Sequence, residues 1–350
     1  MALFRRRRRS DTQATTLAAR RFWAWWDTGQ AQVTAAAERA DDRRLAALLT
    51  RPVRDIHPDL VWFVGPGVTA RTMLVLSASR HPALRMVTER WRREGPPDSQ
   101  RWEFHQAFPA EPGRFSTPVD VDGTTLAPSG STALATLDDA RFRMDLTVHH
   151  PAFADLDERD RDTVADRFVG WALGEDDRDR WVGGLATTTV PLPDGVPVAS
   201  LGSLVPQLAD RWGGERWAAL EGVFGTNRLI ASVRHPVHHV DHPLFDEHVA
   251  VRLQYEEALP DGQPTPRVLD ELQAFQRHIV ARLGDTALLV AVQTASGERV
   301  MHFYADSEMV TLSRFRAMLR GYTGGQSAVQ AHFDPGWDSV HHLRVATTPD

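Results

Sequence analysis

The alternation of hydrophobic and polar residues predicts mixed helices and strands in the first half of the chain. Helical spacing covers 11–50, where Phe22, Trp26 and Val33 share one face, and it returns over 82–94. A period of two indicates strands in the intervening and following segments. These strands are predicted at 60–64, 73–76, 102–106 and 142–148. The elements interleave without regular βαβ spacing, so we expect an α+β arrangement.

The pattern in the second half of the chain predicts a further series of strands and helices. The expected elements are a hairpin around Gly225, a strand over 249–255, a helix from Pro266, a hairpin across Ser296-Gly297, a last helix and a strand over 327–333. Thr265 and Ser307 are the predicted N-caps of the two helices. The order strand–helix–strand–strand–helix–strand predicts a ferredoxin-like α/β sandwich with an antiparallel sheet.

The chain length and a proline-rich break in the sequence predict two domains. The chain has 350 residues, and the proline-rich stretch 191–197 is the clearest break in the pattern. The predicted boundaries are a disordered Arg-rich tail at 1–14, an N-terminal α+β domain at 15–190, a linker and helix at 191–214, and the ferredoxin-like C-terminal domain at 215–350.

Composition excludes several classes of chemistry. The chain has no cysteine, and its 40 basic residues are all arginine. Disulfides, thiolate metal sites and cysteine nucleophiles are therefore excluded, as are Schiff-base lysines and the lysine of a P-loop. Asp, Glu, His, Ser and Arg remain as carriers of chemistry, and no cofactor is predicted.

Charge and hydropathy favour a cytoplasmic protein. No stretch approaches 18 consecutive apolar residues, and Arg20-Arg21 lead into an aromatic cluster that is too short for an export signal. The Arg5–Arg9 run is interpreted as a solvated tail, with an electrostatic arm for nucleic acid or anionic lipid as the alternative. Because the formal net charge is −6, the whole chain does not have the composition of a dedicated nucleic-acid binder.

The densest group of chemically capable side chains lies in 235–248. It contains His235, His238, His239, Asp241, His242 and His248. Imidazoles are good ligands for Zn²⁺, Ni²⁺ or Cu²⁺, so a metal site for a hydrolase is one hypothesis. The spacing contains no HExxH pair, and an extended backbone would place neighbouring histidines on opposite faces. A polar loop with unrelated histidines is the other interpretation, and we commit to no metal ligand.

Other candidate motifs do not fit their templates. The acidic tract 155–179 lacks the glycine and oxygen ligands of a calcium loop. Its carboxylates suit the N-terminus of a helix, with a negatively charged patch for a basic partner as the alternative. Ser77 and Ser79 lack the glycines of a nucleophile elbow. The Gly65–Gly67 turn lacks the third glycine of a dinucleotide site. Glu256-Glu257 would face apart on a strand end. We therefore predict no catalytic or cofactor-binding residue.

Three tryptophans stand close together at the start of the chain. Trp23, Trp25 and Trp26 would cover more than one side of a helix. They are interpreted as core residues, with an exposed interaction surface as the alternative.

Several short motifs resemble a known family. They are Phe22–Trp26, Ile56–Leu60, Leu76–Ser79, Leu173–Glu175, Leu259-Pro260 and Phe333–Trp337. Together they resemble bacterial proteins whose C-terminal part is assigned to the domain-of-unknown-function family number six hundred and ninety-five. That domain is similar in layout to the protein inhibitors that regulate ribonuclease E, which are ferredoxin-like and bind a protein partner. The resemblance implies no catalytic residue, and the arginine run and histidine-rich segment depart from its pattern.

These observations predict a non-catalytic protein that acts through a protein partner in a regulatory, inhibitor-like or immunity-like role. The alternative is a metal-dependent hydrolase that uses the His235–His248 segment. The sequence does not identify the partner or the oligomeric state.

Overall fold

The computed structural model describes residues 2–345, and it describes their side chains from Thr12 to Leu343. The side chains of the Arg5–Arg9 run lie outside the described residues, so the interpretation of that run stays a prediction. No helix within 2–345 is long and apolar enough to cross a membrane.

Helices and strands are mixed along the whole chain, which confirms the predicted α+β class. The helices are α1 (Ala2–Glu38), α2 (Asp42–Arg54), α3 (Pro82–Arg93), α4 (Glu158–Trp181), α5 (Val205–Trp212), α6 (Pro266–Leu283), α7 (Leu312–Leu319) and α8 (His341–Val345). The strands are β1 (Val61–Pro66), β2 (Thr72–Ser77), β3 (Trp102–His105), β4 (Val119–Val121), β5 (Thr124–Leu126), β6 (Thr132–Asp138), β7 (Arg143–His149), β8 (Val182–Thr188), β9 (Val196–Pro197), β10 (Trp217–Phe224), β11 (Asn227–Arg234), β12 (Glu247–Gln254), β13 (Ala287–Ala295), β14 (Glu298–Ala305) and β15 (Ser327–Phe333).

The chain divides into two compact units. One contains Ala19–Arg80 and Trp91–Gly214, and we call it the N-terminal unit. The other contains the chain from Glu215 onward together with His81–Arg90 and the segment up to Ala18, and we call it the C-terminal unit. The predicted domain boundaries, with the linker at 191–214, stay a prediction.

An aromatic cluster forms one core of the N-terminal unit. Trp23 and Trp26 of α1 are buried, and Trp26 packs edge-on against Trp102 of β3, with 5.0 Å between ring centroids. The indole of Trp23 stacks on that of Trp91 and donates a hydrogen bond to the Trp91 carbonyl oxygen. Burial with a partner for the indole N–H is the arrangement that stabilises tryptophan in a core. The interpretation as core is confirmed for Trp23 and Trp26, whereas Trp25 is only partly buried and packs against Phe22 and Trp26.

A second core of the N-terminal unit lies between α4 and the sheet with strand order β8-β7-β6-β9. The acidic residues predicted to favour a helix N-terminus do so. Asp157 is the N-cap of α4 and accepts a hydrogen bond from the Asp160 backbone N–H, and Glu158 lies in the first turn. Carboxylates at this end stabilise the helix because they face its positive dipole end.

Six antiparallel strands form the sheet of the C-terminal unit, in the order β10-β11-β13-β14-β12-β15. The chain leaves β12 through α6 and returns at β13, two positions away, and it leaves β14 through α7 and returns at β15, again two positions away. The predicted order of elements over this region is therefore confirmed. Val251, Met301 and Phe303 on one face of the sheet pack against the two helices, and all three are fully buried.

The predicted N-cap residue is confirmed for α6 but not for α7. Thr265 occupies the N-cap position of α6, but its hydroxyl makes no capping bond. Helix α7 begins at Leu312 with Thr311 as its N-cap, so the prediction that Ser307 caps it is wrong. The Ser307 hydroxyl donates to Asp246 instead, because that buried carboxylate lies in front of β12 and needs donors.

Arg90 of α3 forms a buried ion cluster within the C-terminal unit. Its side chain is 3% exposed and bonds Asp246 and Asp306, each at 3.1 Å, and Glu308 at 2.6 Å. Asp246 also accepts a hydrogen bond from the Thr12 hydroxyl of α1. Burial lowers the pKa of Arg90, but attraction from the three carboxylates outweighs it and holds that pKa above its usual value. Residues that are distant in sequence are thereby fixed around one guanidinium group.

We predict that Arg90→Met lowers the free energy of unfolding by about 3–5 kcal/mol, because the buried carboxylates lose their cation. Urea unfolding near neutral pH measures the change. Arg277→Met on the exposed surface of α6 is the matched control and should stay within about 0.5 kcal/mol of wild type. Equal stability of the Arg90 and Arg277 variants would contradict this account of the cluster.

Candidate binding surface of the C-terminal sheet

The sheet face opposite α6 and α7 is partly covered and partly open. Leu288, Val290, Tyr304 and Trp337 form a small core on it. The indole of Trp337 stacks on the Tyr304 ring with 4.3 Å between centroids. Beyond this core, the face carries a groove of about 650 Å³. The groove is therefore an accessible part of this face.

Aliphatic, amide and charged side chains line the groove. Leu229 and Val300 supply apolar surface, and Gln254 and Gln293 supply amides. Arg252 and Glu298 lie at one side and form an ion pair at 2.7 Å. This mixture suits a polar binding surface with a few apolar contacts.

One titratable imidazole in the groove is already engaged at both nitrogens. His302 Nε2 lies 2.9 Å from Gln293 Oε1, and His302 Nδ1 lies 3.0 Å from Nε2 of His248. Burial lowers the pKa of His302 to about 4, and burial together with the neighbouring His302 and His332 lowers that of His248 to about 3. Both rings are therefore uncharged near neutral pH. Both ring nitrogens of His302 therefore face groups of the sheet itself.

Strand β10 forms one edge of this sheet, next to the groove. The β10–β11 hairpin pairs Phe224 with Asn227 across the two-residue turn Gly225-Thr226. Val223 is 74% exposed and Phe224 is 65% exposed at the tip. Phe224 also lines the groove, so the edge strand and the groove form one continuous surface, which we call the edge–groove surface.

The backbone of β10 faces alternately toward β11 and toward the open edge. The residues that flank a two-residue hairpin turn form a hydrogen-bonded pair, and such pairs alternate along an antiparallel ladder. The His235 N–H also donates to the carbonyl of Arg216, which like Phe224 is an even-numbered residue on the β10 side of the hairpin. We therefore infer that the even-numbered residues bond β11, whereas Ala219, Glu221 and Val223 direct their N–H and C=O groups outward.

The structure disperses the histidines of 235–248 among different contacts. The rings of His239 and His242 pack on Trp337, with centroids 5.3 and 6.2 Å away, and His248 turns toward His302. His238 is buried. Within the part of the chain whose side chains are described, no group of three or more His, Asp or Glu is arranged to hold a metal ion. The geometry therefore gives the metal-site hypothesis no support.

The remaining candidate motifs also make structural contacts. Ser77 donates its hydroxyl hydrogen to Glu175 at 2.8 Å. Glu257 pairs with Arg267, whereas Glu256 lines the groove. Sequence reasoning predicted the β10–β11 hairpin but not its exposed edge. The apolar pair Val223-Phe224 at the hairpin tip is the one signal of that edge in the sequence.

Comparison with protein families finds a match in the C-terminal region. Residues 227–343 match a family of unknown function, DUF695, which confirms the predicted resemblance for the C-terminal domain. The matched range begins at the first residue of β11 and ends within α8. No curated protein and no solved structure shows a significant match to the chain.

The buried histidine pair predicts a loss of stability in acid. Below the ordinary histidine pKa of 6.5, the unfolded chain takes up protons that folded His302 and His248 take up only near pH 4 and 3. The free energy of unfolding therefore falls as the pH falls through this window. We predict that His248→Gln reduces this fall between about pH 7 and about pH 4.5.

Urea unfolding across this pH range measures the slope. His278→Gln on the exposed surface of α6 is the control and should keep the wild-type slope. A His248→Gln protein that loses stability as steeply as wild type would show that this pair does not carry the acid sensitivity.

Proposed function

We propose that this protein is a non-catalytic interaction protein that binds an extended segment of a partner protein along β10. The observation that carries the proposal is the edge itself. Strand β10 has eight residues, no proline and one charged side chain, Glu221. Natural sheets usually protect an edge with charges, proline or a covering element, and an unprotected edge serves for strand addition.

The rest of the edge–groove surface supports a peptide partner. A segment paired with β10 gains main-chain hydrogen bonds from Ala219, Glu221 and Val223, and the neighbouring Val223 and Phe224 side chains favour apolar contacts. The two nitrogens of His302 already have partners within the sheet, which favours binding over hydrolysis.

A regulatory role is part of the same proposal. The arrangement β12-α6-β13-β14-α7-β15, with strand order β13-β14-β12-β15, supports classifying this region as ferredoxin-like. Its predicted similarity in layout to the inhibitors of ribonuclease E makes a nuclease one candidate partner. Fold analogy alone does not assign a partner. A bacterial, cytoplasmic protein is the expectation that accompanies this role.

Two edge variants test the proposal. Ala219→Pro removes an outward N–H without removing a bond to β11, and Val223→Lys places a charge on the edge. Val280→Lys on α6, where Val280 is 40% exposed, is the matched control. We expect wild type and the control to retain the same protein in stringent affinity capture, and both edge variants to lose about nine-tenths of it.

Thermal unfolding of all four proteins checks that the edge variants remain folded. A photocrosslinking amino acid at position 223 should join the captured partner, whereas the same group at position 280 should not. Capture that is unchanged in both edge variants, or no reproducible capture by wild type, would refute strand addition at β10.

A further inference from the structure

The N-terminal unit contains a separate cavity of about 770 Å³ that none of the foregoing functions uses. It lies between α4, the end of β2 and the loop that follows β3. Its volume falls within the range of small-molecule sites, about 300–1,000 Å³. Four arginines and three carboxylates line it, together with aromatic side chains.

The arginines exceed the carboxylates that are available to pair with them. Arg80 and Arg178 both bond the same oxygen, Oδ1 of Asp166. Arg167 lines the cavity from an exposed position, and within 12–343 it has no hydrogen-bond or ion-pair partner. Burial lowers the pKa of Arg178, and Arg80 adds repulsion that Asp166 does not fully offset. The Nε atom of Arg178 is buried and makes no hydrogen bond.

The other two carboxylates of the cavity already have ion-pair or hydrogen-bond partners in the protein. Glu111 pairs with Arg114 at 3.0 Å. Glu175 accepts hydrogen bonds from the Ser77 hydroxyl at 2.8 Å and from the Phe108 backbone N–H at 3.1 Å. An anion that enters the cavity therefore meets guanidinium donors whose positive charge is not fully compensated. Arginine favours oxyanions with several acceptors, since its planar fork donates two parallel bonds.

Flat aromatic side chains form another part of the wall. The Phe63 and Phe108 rings lie 5.9 Å apart. The Arg114 guanidinium carbon lies 5.7 Å from the centroid of Phe63 and 5.9 Å from that of Trp171. Aromatic faces and an arginine plane are the surfaces that stack flat rings in proteins.

The backbone around the cavity adopts costly conformations. Ser79 and Arg80 have left-handed φ angles of 48° and 64°, although neither is glycine. Gly174 kinks α4 with φ of 74°, and a Cβ there would lie 2.8 Å from the Ala110 nitrogen. Such conformations persist where the surrounding structure fixes them, and they concentrate at functional sites. Both distortions bring cavity residues, Arg80 and Glu175, into position.

We propose that this cavity binds a small phosphate ester of a flat ring, of the size of a mononucleotide. The phosphate contacts the guanidinium groups of Arg80, Arg167 and Arg178, and the ring packs among Phe63, Phe108 and Trp171. The cavity is a binding site independent of the edge–groove surface.

Calorimetric titration of the full chain with three probes tests this proposal. Adenosine 5′-monophosphate carries both parts of the ligand, adenosine carries the ring without the phosphate, and inorganic phosphate carries no ring. We expect the monophosphate to bind at least about tenfold more tightly than either other probe. Arg167→Ala should weaken its binding about tenfold while leaving the melting temperature unchanged, because Arg167 is exposed.

Arg54→Ala on the exposed surface of α2 is the matched control and should bind the monophosphate as wild type does. Arg178→Met should weaken binding further, and its melting temperature reports whether it remains folded. No detectable binding of the monophosphate to wild type, equal binding of adenosine, equal binding of phosphate, or unchanged affinity in Arg167→Ala would each overturn the proposal.

Discussion

The buried guanidinium of Arg90 is the constraint on which the C-terminal unit depends. Its partner Asp246 immediately precedes β12, and its partner Asp306 immediately follows β14. These two neighbouring strands of the sheet are therefore fixed at the same end by one side chain from α3. Burying such charges is costly, and here ion pairs to three carboxylates offset the cost, although the buried Nε of Arg90 makes no hydrogen bond. The cluster therefore stabilises one specific arrangement of the helices and loops around the sheet.

The edge strand β10 of the same sheet carries the proposed function. With β12 and β14 held centrally and both connecting helices on one face, the β10–β11 hairpin is left as an edge. The C-terminal segment around Trp337 covers part of the other face and leaves the groove beside Phe224 open. Stability thus comes from the centre of the sheet, whereas the accessible surface lies at its margin. Such a division suits a protein that binds a partner without rearranging its own core.

Local signals in the sequence were sufficient to predict most of the helices and strands. Periodicity predicted the strand–helix order of the C-terminal region because each element depends on residues within a few turns. The burial of Trp23 and Trp26 followed from the general preference of tryptophan for cores, whereas their partners Trp91 and Trp102 are distant in sequence. The Arg90 cluster could not be predicted, since its bonded residues are separated by 156 and 216 positions along the chain. The sharing of Asp166 by Arg80 and Arg178 was hidden for the same reason. The metal site in the histidine-rich segment was only an alternative, and proximity in sequence did not bring His239 and His248 to one site.

The most direct test of the account is amide hydrogen exchange resolved for each residue of β10 in the free protein at low concentration. An open edge predicts alternation, with the amides of Ala219, Glu221 and Val223 exchanging much faster than those of Ala218, Leu220 and Gly222. Equal protection of the two sets would contradict it, because the outward backbone groups would then already be paired and could not accept a partner strand.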